Sequence, residues 1–153
     1  MRNGAILLLT GRNLDRVLIV KNKKTGLWMI PGGQPSPGDQ NSLHTAKREF
    51  KEEVDNKHVP RSAVQGPKYE VVGRNGRVHT DIYLFFDVNY DPRTSPIKSG
   101  PIINNEVSEI KFAKWNDIFD YQFASYVKNS LCEMIEKFHH TLRKPERFYS
   151  VCQ

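Results

Sequence analysis

Apolar residues along the chain fall into blocks of two different periods. Ala5-Ile6-Leu7-Leu8-Leu9 and Val17-Leu18-Ile19-Val20 are unbroken aliphatic runs split by Gly11-Arg12-Asn13, and they predict two strands. After a basic turn from Lys21 to Gly26, Leu27-Trp28-Met29-Ile30 predicts a short strand delivered into Pro31-Gly32-Gly33. The period then changes. Leu43, Ala46, Phe50 and Val54 recur at three- and four-residue steps, which predicts an amphipathic helix over 43–54, and Pro60 bars its continuation. Residues 68–72 and 78–88 predict a hairpin turned at Arg74-Asn75-Gly76-Arg77, with the Asn-Gly signal at its tip. Ile82-Tyr83-Leu84-Phe85-Phe86 is apolar on both faces, so the second of these strands should be central.

Residues 89–105 carry Pro92, Pro96 and Pro101 with no period and predict a long loop. Glu106 to Phe112 reads as a strand whose alternation puts Val107 apart from Ile110 and Phe112. Val127, Leu131, Met134, Ile135, Phe138 and Leu142 step as a last helix. Arg143 to Gln153, basic and aromatic with Pro145, predicts a loosely held tail. There is no repeat or linker. The order of strands, helix, strands and helix predicts one α+β domain over residues 1–153.

Chemistry enters on the first helix. Glu49, Glu52 and Glu53 stand at i, i+3 and i+4, so they share a face, where like charges repel by about 0.2–0.5 kcal/mol per pair. Such faces are commonly just solvated, and Glu53 with Lys57 would make an ordinary i,i+4 pair. Beside a loop that offers backbone carbonyls, however, three carboxylates suit a hard divalent cation, Mg²⁺ above all. His79 on the long strand and Trp28 read as structural residues.

The loop and helix together carry a longer pattern. Gly33 is followed by five residues and Asp39, then eight residues, then Arg48-Glu49-Phe50-Lys51-Glu52-Glu53. This resembles the signature of the Nudix hydrolase family. Here aspartate replaces the first glutamate, one extra residue precedes Arg48, and Asp55 stands where the family closes on glycine. Either Asp39 or Gln40 could hold the first-glutamate position. The resemblance covers about residues 4–142 and implies the Nudix fold, a mixed, curved β-sheet sandwiched between helices. It also implies hydrolysis of a diphosphate linkage with Mg²⁺, Mn²⁺ serving as an alternative. Glu49 and Glu53 would coordinate metal with the Gly32 carbonyl. Glu52 would be a third ligand or the partner of the attacking water, and Arg48 would orient the glutamates. A further carboxylate, as metal ligand or general base, would come from Glu106 or Glu109, with Glu106 favoured.

The chain carries 23 Lys and Arg against 17 Asp and Glu, a net charge of +6. With several acids already placed at one site, the remaining surface is basic, which suits a polyanionic substrate and serves solubility equally. A small nucleotide-like substrate, a nucleoside diphosphate-X or triphosphate, is the default expectation. Capped RNA and diphosphoinositol polyphosphates are the alternatives, and a catalytically silent Nudix-fold binding module is the reading from another class. The basic groups at Lys21-Lys24, Arg74-Arg77 and Arg143-Arg147 would give an RNA backbone its track. Cys132 and Cys152 form no disulfide framework and are expected free, in a reducing compartment. No apolar signal segment or membrane span is visible, so a cytoplasmic protein with no membrane partner is expected, its oligomeric state left open.

Overall fold

The computed structural model describes all residues from Met1 to Gln153. In order, the elements are β1 (Asn3–Thr10), β2 (Arg16–Asn22), β3 (Trp28–Met29), β4 (Gly32–Gly33), α1 (Ser42–Glu53), β5 (Val64–Val72), β6 (Val78–Asp87), β7 (Gly100–Pro101), β8 (Val107–Lys114), a 3-10 turn (Trp115–Asp120), α2 (Ser125–Lys137) and α3 (Phe148–Cys152). The main sheet runs β5-β6-β1-β2-β8-β7, with β3 added on β2 and β4 on β1. It is mixed: β1 and β6 pair in parallel from Asn3 and Thr80 to Thr10 and Asp87, and the other pairs are antiparallel. The architecture is therefore α+β, as the order of elements predicts.

Both faces of the sheet are covered, which is why β1 and β2 read as unbroken aliphatic runs. Ile6, Leu8, Leu18, Val20, Tyr83 and Phe85 pack with Ala46, Phe50 and Val54 of the α1 region. Ala5, Leu7, Leu9, Val17, Ile19 and Leu84 pack on the other side with Val127, Leu131, Met134 and Ile135 of α2. The sheet thus lies between helices. Gly4 is where α1 crosses β1. A Cβ there would stand 2.1 Å from the Ser42 carbonyl oxygen, so any side chain would lift the helix off the strand.

α1 begins at Ser42 because Asn41 caps it, its Oδ1 accepting from the His44 N–H at 2.9 Å. Three expectations about the late chain are corrected. Val107 lies in the same cluster as Ile110 and Phe112, because the register of β2 against β8 slips between Lys21 and Asn22. The bulge inserts one residue and returns Val107 to the α1 side. The tail is not loose. Phe148 is buried, Trp115 Nε1 donates to the Arg143 carbonyl at 2.7 Å, and Arg147 donates to the Phe119 carbonyl and to Asp120. Phe148, packed into the core on the α2 side, holds this segment, and eleven residues with a proline are too few to show a period. Its fold-back brings the Cα atoms of Cys132 and Cys152 to 5.5 Å, and the two form a disulfide rather than free thiols. The 89–105 loop is likewise pinned, by buried Ile97 and by Tyr90 stacked near Phe112.

Candidate metal and substrate site

β1 organises the site. Its first residues pair with Gly32 and Gly33, and the Ile6 N–H bonds the Pro31 carbonyl at 2.9 Å, so the glycine loop is held against the sheet. α1 then runs past the loop and presents its glutamates to it. The Gly32 N–H donates to Glu53 Oε1 at 2.8 Å. Gly33 has no room for a side chain, since a Cβ would meet the Glu49 carboxyl carbon at 2.6 Å. The glycine pair is thus required by close approach, Gly33 to the Glu49 carboxylate and Gly32 to Ala5 of β1.

Glu49, Glu53 and Glu106 come together, one carboxylate oxygen of each lying within 4.8 Å of the others. Glu53 is only 3% exposed. Burial, opposed by the Gly32 N–H and reinforced by the charges of Glu49 and Glu106, pushes its carboxyl up to about 8. Burial raises Glu49 too, against the lowering effect of Arg48. Three converging acids, one of them enclosed, are an unfavourable arrangement that a hard cation with oxygen ligands would relieve, so the donor set fits a divalent ion. Glu52 lies outside this trio: its carboxylate is largely exposed and its Oε1 accepts from Arg48 Nη1 at 2.9 Å. Glu109 sits within β8 opposite Lys21 and is not part of the trio.

Arg48 is the hub of the loop. Its Nε and Nη2 donate to Asp39, Nη2 also to the Gln34 carbonyl, and Nη1 to Glu49 and Glu52. Asp39, buried, also accepts from the Ser36 N–H and the Thr45 hydroxyl. The Arg48 guanidinium holds the Asp39 carboxyl well below the usual carboxylate range. The open choice between Asp39 and Gln40 is thereby resolved in geometry. Asp39 reaches Arg48, while Gln40 is exposed and uses only its N–H, toward His44.

Asn104 is a positioning residue that no sequence pattern singles out. Its Oδ1 accepts from the Glu106 and Val107 N–H groups, and its Nδ2 donates to the Glu52 carbonyl at 2.8 Å. One amide therefore ties the loop that carries Glu106 to the end of α1. Asn104→Ala is expected to lower turnover by up to about tenfold and stability by about 1 kcal/mol, through loss of these bonds. Steady-state kinetics with a melting curve check this, and unchanged kinetics would release Glu106 from dependence on Asn104.

Next to the glycine loop a cleft of about 430 Å³ opens between α2 and the β5–β6 hairpin, within the range of about 300–1,000 Å³ usual for small-molecule sites. Tyr126, Met29 and Val71 give it apolar wall, and Asn129, Glu133 and His79 give it polar groups. The Tyr69 hydroxyl donates to Glu133 and fixes that carboxylate. Tyr126 joins the cleft to the acids: its hydroxyl, raised by burial and by the charge of Glu53, contacts the Met29 sulfur at 3.6 Å. These lining groups come from distant segments and carry no sequence period.

The three basic groups are not arranged as one track. Arg147 and Lys144 serve the tail, pairing with Asp120 and Glu136. Lys23 bonds the Asn104 carbonyl beside Glu106, and Arg74 alone of these lines the cleft. No helix is long and apolar enough to cross a membrane.

Against known proteins, the family model described as NUDIX domain matches residues 1–133. No curated protein matches the chain. Among solved structures, a Caenorhabditis elegans Ap4A hydrolase binary complex is 13% identical over 91% of this chain and 99% of its own, with a TM-score of 0.65. The NUDIX domain of Shewanella oneidensis NrtR, complexed with ADP ribose, is 21% identical over 93% and 88%, with a TM-score of 0.59. The Nudix hydrolase RenU of M. smegmatis is 14% identical over 92% and 88%, with a TM-score of 0.63. At these identities the likeness is one of fold.

Proposed function

The chain belongs to the Nudix hydrolase family, and from that premise we propose that it is a Mg²⁺-dependent diphosphohydrolase acting on a nucleoside diphosphate-X or nucleoside triphosphate, with Mn²⁺ as an alternative ion. The observation that carries this reading is the convergence of Glu49, Glu53 and Glu106 beside a glycine loop that also lines a nucleoside-sized cleft. The solved relatives named as an Ap4A hydrolase and as an ADP-ribose complex are in keeping with a nucleotide-like substrate.

In this reading Glu49, Glu53 and Glu106, with the Gly32 carbonyl, would hold the ion. It would supply charge neutralisation for the diphosphate and acidify the attacking water. The chain's own residues do the rest. The glycine loop fixes Glu53 by its N–H and leaves space for Glu49. Arg48 sets the rotamers of Glu49 and Glu52 from a base on Asp39. Glu52, exposed and outside the trio, would take the proton of the water that attacks phosphorus. The P–O bond to the bridging oxygen breaks, and the leaving oxygen departs as a phosphate anion. The cleft holds the nucleoside away from bulk water.

Turnover should appear in a panel of ADP-ribose, dinucleoside polyphosphates, nucleoside triphosphates, nucleotide-sugars, capped RNA and inositol pyrophosphates with Mg²⁺ or Mn²⁺. Capped RNA or inositol pyrophosphate as the preferred member would replace the nucleotide reading. Absence of turnover on all members would leave the binding module.

Metal binding should also release protons. Glu53, with its carboxyl near 8, is largely protonated at about pH 6 and must lose that proton to become a ligand. Calorimetry in buffers of different ionisation enthalpy should show release approaching about one proton per ion at about pH 6 and nearly none at about pH 9. Release that does not change with pH would remove Glu53 from the ligands.

A further inference from the structure

We propose that Arg74 and Arg77, on the turn between β5 and β6, form a subsite for a second phosphate of the substrate, carried on the ribose hydroxyl side away from the diphosphate that is cleaved. The inference rests on the functional reading above for its orientation, with the diphosphate at the carboxylates and the nucleoside in the cleft.

The cleft does not end at its own wall. An open basin continues from it, and the two share Asn3, Gly73, Arg74 and His79. One path therefore runs from Gly32 and Gly33, past the cleft, to the tip of the hairpin. No carboxylate lines the basin, although three arginines do. Arg2 is already engaged by Glu70 and Asp81. Arg74 and Arg77 make no ion pair with any acid of the chain. Two unneutralised guanidiniums in a concavity without acids favour an anion, and the planar fork of arginine matches a phosphate's oxygens.

The turn itself is built. The Gly73 N–H bonds the Arg77 carbonyl at 2.8 Å, the Gly76 N–H bonds the Gly73 carbonyl at 3.0 Å, and the Arg77 N–H bonds Asn75 Oδ1 at 3.0 Å. Gly76 takes φ of +76°, which closes the turn. The two arginines thus start from fixed backbone immediately either side of the Asn75-Gly76 tip. A nucleoside whose 5′ side lies at the glycine loop presents its 2′ and 3′ hydroxyls toward the far end of the cleft, where the basin opens. A phosphate there is either a monoester, as on a small coenzyme, or the first phosphodiester of an RNA chain. The recognised chemistry is the same.

Binding without metal tests the subsite independently of turnover. Calorimetry should compare adenosine 5′-monophosphate with adenosine 3′,5′-bisphosphate at about 50 mM and about 200 mM salt. The bisphosphate is expected to bind at least about tenfold tighter at the lower salt, with the advantage shrinking at the higher. In Arg74→Gln/Arg77→Gln, both exposed positions, the ratio of the two affinities should fall to near one. Equal affinities, binding of neither ligand, or an advantage that survives the double substitution would overturn the proposal. Success here together with a failed substrate panel would keep the subsite and remove the hydrolase reading. The source is then assigned by two pairs, coenzyme A against its dephospho form and a 5′-triphosphorylated dinucleotide against the mononucleoside triphosphate. A gain that depends on the arginines in either pair supports the subsite and names its source, and a gain in neither overturns it.

Discussion

Replacing Glu53 by glutamine is expected to lower turnover at least about a hundredfold, a barrier rise of about 2.7 kcal/mol, while leaving the metal-free protein no less stable. Glutamine has nearly the same shape, and its side-chain oxygen can still accept from the Gly32 N–H. The loop therefore stays where it is, and what is lost is the charge. In the wild type that charge is enclosed and faces Glu49 and Glu106. Its folded carboxyl is raised from 4.5 to about 8. A raised acid contributes stability that is fully present below its unfolded value and is lost as pH rises through the folded one. Metal-free wild type should thus weaken between about pH 4.5 and 8, a slope that the glutamine variant keeps only in the part owed to Glu49. Melting temperatures across this window, beside kcat at saturating Mg²⁺, check both halves. Near-normal turnover would take Glu53 out of the metal's reach, and parallel pH slopes would refute its enclosure.

The second large effect is expected at Arg48. Arg48→Met should reduce turnover about a hundredfold, the size of loss that a displacement of about 1 Å at reacting groups produces. The guanidinium does not need to touch substrate for this. It spans the Asp39 carboxylate, the Gln34 carbonyl, Glu49 and Glu52 from one rigid plane. Lysine is a point donor that cannot reach all four, so Arg48→Lys should rescue little. Asp39→Asn added to Arg48→Met should cost far less than it does alone, because the two act as one unit. Asp39, depressed by Arg48, contributes stability above the ordinary carboxyl value of 3.8 that disappears as pH falls through its folded value. The stability gap between wild type and Arg48→Met should accordingly be present at neutral pH and close in acid. A gap constant with pH, or additive losses in the double variant, would break the assigned coupling.

Much of this was legible in the chain because its periods are strict. The stripe of Ala46, Phe50 and Val54 fixes which face of α1 is buried, and the glutamate spacing then has one other face to occupy. Glu106 could be chosen over Glu109 only through resemblance, and the structure gathers it with Glu49 and Glu53. Asn104 was invisible because a lone amide in a proline-rich loop has no period, and its work lies in three hydrogen bonds across 52 residues or fewer. The cleft was invisible for a related reason: Tyr126, Glu133 and His79 meet only after α2 and the hairpin have docked on the sheet. Simple alternation separates Val107 from Ile110 and Phe112 because it assumes an unbroken ladder, and the slip beside Asn22 breaks it. A basic, aromatic segment with Pro145 reads as loose in the sequence, whereas Arg147 and Trp115 bind backbone carbonyls that hold it down.

The parallel pairing of β1 with β6 has a consequence for the protein's synthesis. Residues 3–10 leave the ribosome before the other strands, and β2 and β4 follow soon to cover one of their edges. The other edge waits for residues 80–87. At about 5–20 residues per second the nascent chain therefore carries an aliphatic strand with one open edge for several seconds. During that interval Ile6, Leu7 and Leu8 are offered to any extended segment nearby, including the same strand on a neighbouring chain. The residues that build the glycine loop's support are thus also the ones most exposed to mispairing before the fold is complete, and slowing translation between residues 22 and 80 should lower the soluble yield.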